Sequence, residues 1–86
     1  MKREDIKKVL NCPFKELMLL ALELVNLKDK ERLAVEYVDI KGNTEEATAE
    51  LMNCSVRSIR NYRKQSYVKM GKVWENQDLI KKILEL

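Results

Sequence analysis

The chain has 86 residues, enough for a single domain with one modest hydrophobic core. Its 45% apolar and 36% charged residues exclude a disordered tail and a membrane protein. Two glycines and one proline leave few of the turn signals that a sheet of hairpins needs, so the expected fold class is all-α. The net charge of +3 is unevenly spread: residues 53–74 carry six basic side chains and no acidic one, whereas residues 28–52 carry four basic and seven acidic. A polyanion is the natural partner of that basic segment.

The longest apolar run, Leu17 to Leu22, is far too short to span a bilayer. The first residues, Met1 to Asp5, lack the layout of a secretion signal, so the cytoplasm is the expected compartment and no membrane is expected as a partner. Cys12 and Cys54, with no histidine in the chain, do not form a zinc-ligand pattern. They read as reduced, partly buried small hydrophobes, and no cofactor or metal is expected.

In chain order, residues 3–10 predict a short helix with Ile6, Val9 and Leu10 on one side. Pro13 disfavours helix at the residue before it and suits the first turn of the next, which is expected to run to about Asn26. Phe14, Leu17, Met18, Ala21, Leu24 and Val25 recur there at helical spacing, and Leu19, Leu20 and Leu22 widen the stripe to most of the circumference. Two placements fit so wide a stripe: the central core helix of the domain, or a seam for a homodimer or higher oligomer through residues 13–26. Asp29 is expected to cap a helix through Ile40, which Gly42 stops in the left-handed conformation.

Thr44 is expected to cap a helix through Met52, with Glu45, Glu46 and Glu50 placed early to complement its dipole. Ser55 caps the following helix, expected to reach Met70 and to end or bend at Gly71. A last helix covers residues 76–85. The expected core contains Phe14, Leu17, Leu24, Leu33, Tyr37, Leu51, Ile59 and Tyr62. Tyr62, Tyr67 and Trp74 sit at helical spacing, which reads as packing and not as base stacking.

Residues 44–66 have the pattern of a helix-turn-helix. Two short helices crossing steeply need a small residue at the crossing, and Ala49 supplies it. The turn needs a residue that tolerates positive φ, and Asn53 is the best non-glycine type. Cys54 can plug the core, and Ile59 and Tyr62 can anchor the second helix. What remains on that helix is polar and basic. The candidate DNA-binding residues are Ser55, Val56, Arg57, Ser58, Arg60, Asn61, Arg63 and Lys64, with Lys69 further along. Arginine pairs with guanine edges and asparagine with adenine edges in the major groove, and the helix N-terminus offers backbone N–H groups to a phosphate.

Residues 27–70 also resemble the DNA-binding region four of bacterial sigma factors. Leu27 to Tyr37, with Glu31-Arg32 at its centre, is similar to that family's helix before the motif. Asn43 to Met52 is similar to its first motif helix, Ser55 to Tyr62 to its reader helix, and Arg63 to Met70 to the closing segment. Thr48 stands where the family has an apolar residue, and Asn53 where it has glycine. The resemblance implies sequence-specific binding of duplex DNA, regulation of transcription and contact with RNA polymerase. It covers half the chain and leaves no room for the other sigma regions, so it implies a reader module. Stand-alone proteins of this kind resemble small phage or mobile-element regulators.

No catalysis is expected. The glutamates at 45, 46 and 50 read as helix-dipole partners, Cys54 has no base beside it in sequence, and no glycine-rich phosphate loop is present. The competing reading is an oligomerising interaction protein, such as a phage DNA-packaging recognition subunit (a small terminase subunit) or a polymerase adaptor.

Overall fold

The computed structural model describes residues 1–86 and is all-helical, with no strand. Its helices are α1 (Arg3–Leu10), α2 (Lys15–Glu23), α3 (Asp29–Val35), α4 (Glu45–Leu51), α5 (Val56–Trp74) and α6 (Asp78–Leu84). A π-helical turn, Glu36–Ile40, continues α3. No helix is long and apolar enough to cross a membrane. The chain divides into two compact units, one formed by residues 1–26 with 67–86 and the other by residues 27–66.

In the first unit α1, α2 and α6 pack on one another. Ile6, Val9 and Leu10 face inward from α1, Met18, Ala21 and Leu22 from α2, and Ile80 and Ile83 from α6. Tyr67, Met70 and Trp74 add the C-terminal part of α5. Trp74 is fully buried, and its indole Nε1–H donates to the Ala21 carbonyl at 2.8 Å. The bond satisfies the only polar atom of a large apolar side chain, so its burial leaves no unpaired donor. Arg3 lies over the Tyr67 ring, 5.2 Å from its centroid.

The expected core list is corrected at four positions. Phe14, Leu24, Leu33 and Leu51 are exposed, while Leu17, Tyr37 and Tyr62 are half-buried and Ile59 is fully buried. Helix α2 is shorter than expected: Phe14 is its N-cap and Leu24 its C-cap, both outside the helical face that turns inward. That face is Met18, Ala21 and Leu22, and Val25 is buried just past the C-cap. A helix apolar nearly all round offers several such faces, and periodicity alone does not choose among them. In the second unit small residues take the inward places: Ala34 displaces Leu33, and Thr48 with Ala49 displaces Leu51.

Two termini also differ from expectation. Lys28, not Asp29, occupies the N-cap of α3, and its backbone N–H is satisfied by the Glu31 carboxylate at 3.0 Å. Glu31 supplies the cap by reaching back from the third helical position. Helix α5 does not stop at Gly71 but continues to Trp74. The cost of a helical glycine is below about 1 kcal/mol, and the burial of Met70 and Trp74 on either side outweighs it.

A Cβ built on Gly71 would meet Ile6 Cδ1 at 3.7 Å and Met1 Cβ at 3.9 Å, ordinary van der Waals distances. Gly71→Ala is therefore expected to stabilise the chain by about 0.5–1 kcal/mol. Thermal melting followed by helical circular dichroism checks this; a lowered midpoint would mean that the site has no room.

Candidate nucleic-acid interface

The interface candidate is built on residues 27–66, starting from the caps. The Thr44 Oγ1 accepts the Ala47 N–H at 3.0 Å, which begins α4 as expected. Thr48, fully buried, donates its hydroxyl to the Thr44 carbonyl at 2.9 Å. A threonine thus occupies an inward position without an unpaired hydroxyl, which accounts for the departure from an apolar residue there.

The turn after α4 is closed by two backbone bonds. The Cys54 N–H reaches the Ala49 carbonyl at 2.9 Å and the Asn53 N–H reaches the Glu50 carbonyl at 3.2 Å. This is the six-to-one and five-to-two pattern that ends a helix with a left-handed residue. Asn53 is that residue, with φ 54°, and no other non-glycine residue has positive φ. Gly42, with φ 77°, ends the π-helical turn in the same region of backbone space. The Ser55 Oγ then accepts the Ser58 N–H at 3.1 Å and opens α5.

Ala34, Ala49 and Ile59 meet at the centre of this unit, with Val38, Met52, Cys54, Val56 and Tyr62 packed around them. Two of the three central residues are alanines, so little side-chain volume separates the elements that meet there. Cys54 fills the edge of this cluster and is a free thiol, as is Cys12.

Around this core the sequence-predicted residues separate into two groups. Ser55, Arg57, Arg60, Asn61 and Lys64 are exposed. Arg57, Asn61 and Lys64 recur at spacings of four and three, so they form one stripe on the side of α5 opposite Ile59. Arg57 and Lys64 take part in no ion pair within the chain. Val56, Ser58, Arg63 and Lys69 are half-buried; Val56 packs on the core and Ser58 is held by Ser55.

Arg63 is placed differently from its neighbours. Its Nε and Nη2 donate to the Asp39 carboxylate at 3.1 and 2.8 Å, and its Nη1 donates to Glu45 Oε2 at 3.1 Å. The other oxygen of Glu45 accepts from Arg60 Nε at 3.1 Å. Asp39 is 8% exposed, Arg63 21% and Glu45 22%, against 65% for Arg60. Arg63 therefore clamps the π-helical turn and α4 to α5, and a bidentate guanidinium–carboxylate pair fixes the angle as well as the distance. The exposed Arg60 contact is of the weak, screened kind, and a competing anion can replace it.

Asp39 and Glu45 are the residues that sequence reasoning missed as positioning groups. Their bonds to Arg63 join positions 24 and 18 apart, a separation without a periodic signature. Gln65 joins the exposed face beside Asn61, where both line a cleft of about 370 Å³ together with Lys28 and Lys30. Asp29 and Glu31 line the same cleft, so the lysine ammonium and the amide groups there stand beside carboxylates and the cleft is not a net basic edge of the stripe.

Compared with protein-family models, curated proteins and solved structures, the chain has no match.

Arg63→Ala would remove the guanidinium fork from the nearly buried Asp39 carboxylate and leave Glu45 with the exposed Arg60 contact. It is expected to destabilise the unit by roughly 2–4 kcal/mol, and Arg63→Lys to recover only part of this because an ammonium cannot make the fork. Chemical denaturation of the three chains checks it. Arg57→Ala, exposed and outside any ion pair, serves as the control and is expected to fall within about 0.5 kcal/mol of the parent chain.

Proposed function

We propose that this protein is a sequence-specific duplex-DNA-binding regulator of transcription that reads the major groove with the N-terminal half of α5. The observation that carries the reading is the exposed stripe of Arg57, Asn61 and Lys64 directly after a tight, left-handed turn. Helices docked by a helix-turn-helix present such a stripe to base edges, while flanking cations and helix N-termini take phosphates. In this reading Arg57 and Asn61 contact bases, Ser55 and Lys64 contact the backbone, and Arg60 exchanges Glu45 for DNA. Arg63 positions the reader helix from behind. No acidic residue lies between 53 and 74 to repel the duplex.

The resemblance to sigma region four supports the same assignment and adds RNA polymerase as a protein partner, which co-purification with the core enzyme tests. A DNA-packaging recognition subunit is the second reading. The exposed apolar residues of α2 favour it, because such a subunit works as an assembled oligomer.

Selection of bound sequences from random duplex at fixed salt is the experiment. It is expected to return one motif, against which Arg57→Ala costs ~1–3 kcal/mol of specific binding. Lys64→Ala is expected to weaken all sequences alike and to reduce the salt slope by about 1. Equal small losses on every sequence from both substitutions would exclude base reading by α5.

A further inference from the structure

We propose that Glu45 is an internal competitor for the DNA phosphate that Arg60 meets, and that this carboxylate sets how tightly the interface holds any duplex. The inference rests on the proposed function only in taking duplex DNA as the ligand of α5. Arg60 lies three positions beyond Arg57 and four before Lys64, so it stands at the edge of the same exposed stripe. Unlike those two side chains, it is tethered. Its Nε donates to Glu45 Oε1 at 3.1 Å, and no other ion pair holds it.

The tether is fixed at its acidic end. Glu45 is the first residue of α4, where the helix dipole favours its charge. Its second oxygen accepts from Arg63 Nη1 at 3.1 Å, and Arg63 is itself forked onto Asp39. The carboxylate is therefore held whether or not Arg60 is on it, whereas Arg60 stands mostly in solvent. When Arg60 turns to a phosphate, Glu45 keeps Arg63 and no carboxylate is stranded. The exchange gives up only an exposed contact.

Charge gives the exchange its sign. The guanidiniums of Arg60 and Arg63 cancel the carboxylates of Asp39 and Glu45, so a tethered Arg60 adds no net positive charge to the face that meets DNA. A phosphate brought to that guanidinium would also meet the field of the Glu45 carboxylate. The tethered state binds DNA less well, and the apparent affinity falls with the fraction of chains in it. Backbone phosphates are alike in every sequence, so Glu45 acts on affinity and leaves base discrimination to Arg57 and Asn61.

Titration of the full chain with a random-sequence duplex, followed by fluorescence anisotropy at low and high salt, tests this without a selected motif. Glu45→Gln keeps an amide oxygen for Arg63. It is expected to raise affinity roughly two- to fivefold at low salt, the size of one exposed ion pair, and less at high salt, where such a pair is screened. In an Arg60→Ala background the same substitution is expected to change nothing. An equal gain in that background would trace the effect to repulsion between the carboxylate and DNA, and would overturn the proposal. So would an unchanged or lowered affinity of a Glu45→Gln chain whose helical circular dichroism matches the parent. The parent chain supplies a second reading that needs no variant: on adding duplex, the Arg60 Nε–H resonance is expected to shift and that of Arg63 to stay. An unmoved Arg60 resonance would contradict the exchange. A selection that returns no motif beside the expected behaviour of Glu45→Gln would refute base reading alone. One selected motif beside an inert Glu45 would refute this proposal alone.

Discussion

The meeting of three helices at Ala34, Ala49 and Ile59 is the constraint on which the second unit depends. Two of these three residues are alanines, so the centre of the unit is filled by small side chains around one isoleucine. The chain between α4 and α5 must then reverse within four residues. Asn53 makes that reversal by taking a left-handed conformation, and the bonds from Asn53 and Cys54 back into α4 satisfy the carbonyls that the helix end would otherwise leave open. A short turn and a small crossing are two sides of one requirement. Once both are met, the direction of α5 is set, and with it the set of residues that faces solvent.

The Arg63 clamp reinforces this direction with electrostatics. Its fork on Asp39 and its third bond to Glu45 span three elements, and the partial burial of all three groups raises the value of keeping them paired. The acidic character of residues 28–52 therefore serves two ends. Part of it complements helix dipoles, and part neutralises an arginine that would otherwise be counted with the reader face. The basic surface that remains is narrower than the run of charges in the sequence, and it is concentrated where α5 is exposed.

The local signals were the legible ones. A cap such as Thr44, a stop such as Gly42 and a left-handed turn such as Asn53 are decided by one residue and its neighbours, and the all-α class follows from composition. The faces were harder to read. In α2 almost every side was apolar, so burial of Met18, Ala21 and Leu22 over Phe14 and Leu24 depended on where neighbouring helices lay. At Gly71 tertiary packing overrode a local preference. Among the candidate site residues, Arg57, Asn61 and Lys64 could be placed by helical spacing. Arg63 could not, because its role comes from Asp39, a residue positioned by a π-helical turn that no periodicity announces.

The central claim is that the exposed stripe of α5 meets duplex DNA. Amide chemical-shift mapping of the isotope-labelled chain, titrated with its selected duplex, tests it most directly. The expected result is a set of shifts concentrated at Ser55, Arg57, Asn61 and Lys64, with loss of the Arg60 side-chain contact to Glu45 and little change at α1 and α6. Shifts concentrated on α1 or α6, with residues 55–64 unmoved, would contradict the account.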